Sequence, residues 1–196
     1  MSINLTAQIA LGGSGYDDKF MLTKAKREFK RLRESADLTV AMDHAINFSI
    51  CLASVVDWFF HLRLSKDSTW AGKNETNFLN WIRLQKKEVA VFVDISNEAK
   101  HANRKYQNFS LKKVGFVPLL DKSKYTQEEI SLLSKNGISL TTDKGVEVIY
   151  CLMIEYADNS LEFFYSSAES ALTWWENLDY SSPEPVVNST MRNMRL

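Results

Sequence analysis

The chain has 196 residues, enough for one sizeable core, and a second full domain would be cramped at this length. Its 24 Lys and Arg balance 24 Asp and Glu, which excludes the overall basic field that drives generic duplex binding and makes any nucleic-acid contact a local one. Cys51 and Cys151 each lie inside apolar runs ("FSICLASVV", "VIYCLMIEY"), so neither a disulfide nor a metal framework is expected. The opening "MSINLTAQIALGGSG" lacks a basic start followed by a long apolar stretch, and no window holds the roughly 18 apolar residues of a membrane span; the expectation is a cytoplasmic protein with no membrane attachment.

In chain order, residues 1–16 read as a flexible start, because "LGGSGYDD" is glycine-rich and ends in acids suited to a helix N-terminus near Asp17. From Asp17 to about Ser35, Leu22, Ala25, Phe29 and Leu32 share one face of an amphipathic helix whose other faces are basic. The stretch from about Leu38 to Leu64 contains no Gly or Pro and is apolar around most of its circumference, so it should form the central, most buried helix. A third helix is expected over "NETNFLNWIRLQKKE", 74–88. A fourth runs through "DISNEAKHANRKY", where Phe92, Ile95, Ala99, Ala102 and Tyr106 form an apolar stripe.

After Tyr106 the composition turns β-branched and aromatic. "NFSLKKVGFVPLL" and "VEVIYCLMIEYADNSLEFFYS" predict two or three antiparallel strands, with "ADNS" as a hairpin turn. "SAESALTWWENLD" then predicts a Ser-capped last helix with Ala168, Ala171, Leu172, Trp175 and Leu178 on one face. The expected architecture is therefore mainly α: a bundle of four to five helices with a small antiparallel hairpin or sheet before the last one. Residues 17–182 form a single domain with a β insertion at about 108–165, and 183–196 form a C-terminal tail after "SSPEP". Trp58, Phe59, Phe60, Trp81, Trp174 and Trp175 fall within helical stretches and read as core or dimer interface.

Two polar stripes carry the functional reading. On the fourth helix Asp94, Asn97, Glu98, His101, Arg104 and Lys105 recur at three- and four-residue steps opposite the apolar stripe, as a solvated helix face also would. On the second helix Asp43, Asn47, Ser54, Asp57 and His61 form a seam interrupted at Ile50, which can face solvent, a partner's seam or another polar helix face. If the two seams meet, Asp57 can hold an imidazole such as His101 while Asn97 and Lys100 or Arg104 donate to an anion, a metal-free proton-transfer and phosphate-stabilising site. The structural alternative makes Asp57 a satisfied carboxylate capping a loop or pairing Arg63, and His44 and His61 structural histidines. No ligand spacing for zinc, no nucleophile elbow and no Gly-rich phosphate loop is present, so neither a metal nor another cofactor is expected.

"SNEAKH", Ser96 to His101, resembles the signature of the HEPN superfamily, in which an Arg, a polar residue, three variable residues and a His lie near the start of a late helix in a bundle. Asn97 and His101 match the polar position and the His, and Ser96 stands where the Arg would be. The chain also resembles a group of bacterial and phage proteins with a "DIxNxxKH"-type helix followed by strands and a Trp-rich last helix. The resemblance spans about residues 17–106 in architecture and six residues in motif. It implies a homodimer with the motifs facing across the interface, and binding of RNA or metal-independent endoribonuclease activity in a bacterial or phage defence or toxin–antitoxin system. In that reading His101 is the general base or acid, Asn97 orients it or binds phosphate, and Lys100 with Arg104 stabilises charge. Asp94, Asn47, Asp57 and His61 complete the binding set. Serine cannot supply the permanent bidentate charge of the missing Arg, so an inactive domain also fits. Two rivals stay open: a non-enzymatic dimeric module that binds a partner protein through the seams, and a pocket between helices for a nucleotide or other small ligand.

Overall fold

The computed structural model describes residues 19–100, 111–119 and 122–178. Among them are six α-helices and a four-stranded antiparallel sheet. Helix α1, Phe20–Glu34, buries Met21, Leu22, Ala25, Glu28, Phe29 and Leu32, the expected stripe with Met21 and Glu28 added. Three residues later Asp37 starts α2, Leu38–Leu62, by accepting from the backbone N–H groups of Thr39 (2.8 Å) and Val40 (2.9 Å), which satisfies two of the donors a helix start leaves unpaired. The two helices run antiparallel: Phe20 at the start of α1 stacks on Trp58 near the end of α2, and Glu28 meets His44 halfway back.

Helix α2 is the axle of the fold. Leu52 and Phe48 are fully buried, and Phe48 meets Phe29 of α1, Phe92 of α4 and Phe164 of α6 at centroid separations of 5.6, 5.0 and 5.9 Å, in the tilted and edge-on geometries that aromatic quadrupoles favour. By mean hydropathy the stretch Leu38–Lys66 is long and apolar enough to cross a membrane, although a strict run of apolar residues is absent; 56% of an apolar 18-residue window within it is buried against the rest of the chain. Helix α3, Glu75–Gln85, opens with a reciprocal cap between Asn74 and Asn77. Its Phe78 sits in an aromatic cluster with Phe59, Trp70, Trp81 and Trp175, which ties it to α2 and to α6, Phe164–Glu176.

Helix α4 spans Lys87–Lys100 and begins earlier than the sequence reading placed it, because "VAVFV" is helical rather than a run preceding the helix. Only Lys86, in an extended conformation, separates it from α3. Every residue from Val89 to Ser96 is buried, so the central turns of α4 are enclosed on all sides. The expected split into apolar stripe and polar face therefore fails in that part: Asp94 and Ser96 are interior, while Ala99, assigned to the apolar stripe, is exposed. Ala102 and Tyr106 lie outside the described residues.

The β insertion holds four strands as a small antiparallel sheet, where two or three strands were expected. Strand β3, Glu147–Tyr156, is central: β1, Leu111–Leu119, pairs along one edge, while β2, Gly137–Thr141, and β4, Leu161–Phe163, pair on the other. The turn after β3 falls at Ala157–Ser160 as predicted, with Asn159 at φ 65° and Asp158 accepting from Ser160. Between β1 and β2 lies α5, Gln127–Lys135, started by a capping box of Thr126 and Glu129 that the sequence reading did not use. Leu152, Ile154 and Tyr156 join the main core, whereas Cys151, of opposite parity, donates to the carbonyl of Leu133 on α5 (3.5 Å). The sheet is thus layered between the bundle and α5. Five helices make the bundle, and the sixth belongs to the insertion. The last helix starts at Phe164 rather than at a serine cap, with no side-chain cap at Phe163, and it buries Ala168, Ala171, Leu172 and Trp175 as expected.

Candidate functional site

The seam of α2 faces outward. Asp43, Asn47, Asp57 and His61 are exposed, and the half-buried Ser54 turns its hydroxyl onto the Ile50 carbonyl at 2.8 Å, the hydrogen bond a helical serine makes when it has no better acceptor. At the C-terminal end the seam acquires partners. His61 Nε2 contacts the carboxylate of Glu75, the first residue of α3. The Asp57 carboxyl is held above its ordinary value, first because surrounding protein desolvates it and then because Glu75 repels its charge; Lys100 and His61 act in the opposite sense. Glu75, His61 and Lys100 thus all lie within electrostatic reach of Asp57, which keeps contact with solvent. Burial and a neighbouring carboxylate push Asp57 toward the neutral acid, an imidazole stands one turn away, and an ammonium group is at hand for an anion. Such a set can exchange a proton and hold a phosphate.

Asn97 lies one turn before Lys100 on α4 and is half-buried. His101 and Arg104 lie outside the described residues, as does Lys105. The structure thus brings Asp57, His61 and Lys100 together and leaves Asn47 further along α2. Asp94 does not belong to this surface. It is 1% exposed and accepts from Arg83 Nη2 at 2.6 Å, so its placement on a binding face is corrected: a carboxylate this deep requires a partner, and the guanidinium of α3 supplies one. Ser96, in the position of the motif Arg, is also interior, and its hydroxyl finds no hydrogen-bond partner among the described residues. Arg63, considered as a partner of Asp57, lies over the Phe59 ring at 5.9 Å. His44 is held by the buried Glu28 at 2.9 Å, which also receives Arg31, in keeping with a structural histidine.

No family model matches this chain. No curated protein and no solved structure matches it either, so the residue geometry alone carries the functional argument. Among the described residues no group of three or more His, Cys, Asp or Glu is arranged to hold a metal ion. A groove between α1 and α6 is crossed by ion pairs of Lys26 with Glu176 and Arg33 with Glu169.

A second polar cluster escaped the sequence reading. Glu162 of β4 receives Lys87 from the start of α4, and its other oxygen accepts from Ser167 (3.0 Å) and Tyr156 (3.2 Å). The Lys87 ammonium also lies 4.6 Å from the centre of the Tyr156 ring. Burial on its own would raise the Glu162 carboxyl, but the bonds from Lys87 and Ser167 bring it below its ordinary value. Burial raises the Tyr156 phenol. The cluster rivets sheet to bundle, and only the proximity of Tyr156 and Glu162 across a turn gave any local sign of it.

Proposed function

We propose that the outward seam of α2 and the end of α4 form a metal-independent RNA-binding and RNA-cleaving face of a HEPN-like domain, working as a homodimer in a bacterial or phage conflict system. The observation that supports this reading is the convergence of Asp57, His61, Glu75 and Lys100 where α4 leads toward His101. His101 takes the proton of a 2′-hydroxyl as its oxygen attacks the adjacent phosphorus; the P–O5′ bond breaks, the imidazolium returns the proton to the leaving 5′-oxygen, and a cyclic 2′,3′-phosphate remains. Lys100 and Arg104 offset the phosphate charge, Asn97 orients the imidazole, and the Asp57 carboxyl holds or exchanges its proton. Ser96 has no part in this, since its position faces the core.

The test is cleavage of a mixed single-stranded and structured RNA pool in the presence of chelator by wild type, His101→Ala and Asp57→Asn. Cleavage by wild type, lost in His101→Ala and reduced in Asp57→Asn, supports the site. Cleavage by none of them, or equally by all, refutes the catalytic part.

A second reading is favoured by the burial of Asp94 and Ser96, which commits two polar residues of α4 to packing. In it the face is a non-enzymatic assembly surface. It predicts that His101→Ala shifts the sedimentation of the wild-type dimer toward monomer while no RNA is cut.

A further inference from the structure

The cations of α1 are divided between two flanks. On the flank toward α6, Lys26 and Arg33 are each paired with a glutamate, Glu176 and Glu169. On the other flank, Lys24, Arg27 and Arg31 recur at three- and four-residue steps, all exposed, along about 10 Å of helix. Lys24 and Arg27 have no ion pair among the described residues, and Arg31 shares the buried Glu28 with His44. This second flank borders α2 on the side of its seam. The Phe20–Trp58 stack and the Glu28–His44 contact bracket it, and Lys24 and Arg27 are close enough to Cys51 to counter the effect of burial on its thiol.

Across α2 the surface runs from this basic edge over Asn47 and Ser54 to Asp57, His61 and Lys100, with Asp43 the other acid on the seam. Phe20 and Trp58, both half-buried, bring aromatic surface to its border. A single row of cations is too narrow to neutralise both strands of a duplex. Cations that track a backbone beside half-exposed rings are the elements by which proteins hold single strands.

We infer that this three-helix face is a track for single-stranded RNA, with Lys24, Arg27 and Arg31 holding backbone phosphates at the α1 edge and the strand crossing Asn47 and Ser54 toward the Asp57 and Lys100 end. The inference rests on the proposed RNA reading and adds the path and the strand class. Asp43 works against the strand, so removing its charge tightens binding.

The experiment is fluorescence anisotropy of a labelled single-stranded RNA with the full chain, titrated across salt. Releasing about 0.7 counterion per contact, the three phosphate contacts of the α1 edge alone multiply Kd by roughly 20 between about 50 and about 200 mM salt. The double variant Lys24→Gln/Arg27→Gln loses two of these contacts, so its rise over the same range should be roughly 7-fold smaller than that of wild type. The double variant Lys26→Gln/Arg33→Gln removes the same charge from the other flank and should keep the wild-type salt dependence. Asp43→Asn should bind more tightly than wild type. Lys24, Lys26, Arg27, Arg33 and Asp43 are all exposed, and unchanged circular dichroism verifies the fold. Equal affinity and salt dependence in Lys24→Gln/Arg27→Gln and wild type overturns the track and leaves the seam proposal standing. Equal loss in both double variants, or tighter binding of duplex than of single strand, also overturns it. A wild type that binds no RNA overturns both proposals.

Discussion

Replacing Arg83 with methionine tests the energetic reading of α4 most directly. The side chain of Arg83 is 15% exposed and donates at 2.6 Å to Asp94, which is 1% exposed, so the substitution leaves a carboxylate inside the bundle without its guanidinium. Breaking a buried pair from one side costs about 3–5 kcal/mol, because the remaining charge has lost both water and its partner. At about 2–4 °C per kcal/mol for a chain of this size, the melting temperature should fall by roughly 6–20 °C. Urea unfolding followed by circular dichroism should show a lower midpoint with an unchanged slope, the mark of lost stability rather than of an altered unfolded state. Arg83→Met/Asp94→Leu should recover most of the loss, since removing both charges also removes both desolvation costs. A loss below about 1 kcal/mol in Arg83→Met would show that Asp94 is compensated by other groups and that the pair does not fix α3 on α4.

Four further outcomes are expected. At Gly137 an added Cβ would stand 2.7 Å from Ile149 Cγ2 and 3.0 Å from the carbonyls of Leu133 and Tyr150, so Gly137→Ala should cost about 1–3 kcal/mol. Gly115→Ala meets nothing within 4 Å and should leave the urea midpoint unchanged or slightly raised. Glu162 is held below its ordinary 4.5, so its contribution is complete above that pH and is lost as pH falls through the lower folded value. The wild-type melting temperature should therefore decline more steeply than that of Glu162→Gln in scans below about pH 4.5, by well under ~1 kcal/mol because the pair is partly exposed. Asp57 has the opposite sign. Its folded value lies above the ordinary 3.8, so ionisation works against folding once pH rises past that range, and Asp57→Asn should be slightly more stable than wild type at neutral pH by calorimetry. A less stable Asp57→Asn would contradict that account.

Where an element has one wet side, periodicity located it. The stripe of α1, the length of α2 and the buried face of α6 could all be read from spacing, since each helix packs along one side or presents a narrow seam. In α4 the same method failed, because Val89 to Ser96 are enclosed all round and Asp94 answers to Arg83, eleven residues earlier in the chain and on another helix. No local spacing encodes that pair. The α5 segment carried a usable sign, Thr126 followed three residues later by Glu129, but its Ile130, Leu132 and Leu133 are too few to make a periodic pattern persuasive. Of the site, the seam residues were legible as a row on one helix; the meeting of Asp57 with Glu75 and Lys100 depends on how α3 and α4 end against α2, which only the tertiary packing decides.

Helix α5 covers the outer side of the sheet without contributing one fully buried residue, and beneath it lies Cys151, whose thiol is pushed up to about 11 by burial alone. Cys51 sits instead on the axle helix, 2% exposed, among the side chains that hold the bundle together. The two thiols thus form a built-in pair of clocks. Alkylation of Cys151 times the lifting of a lightly anchored shutter, alkylation of Cys51 times the opening of the bundle itself, and the gap between the two rates measures how far the outer layer of this molecule breathes independently of its centre.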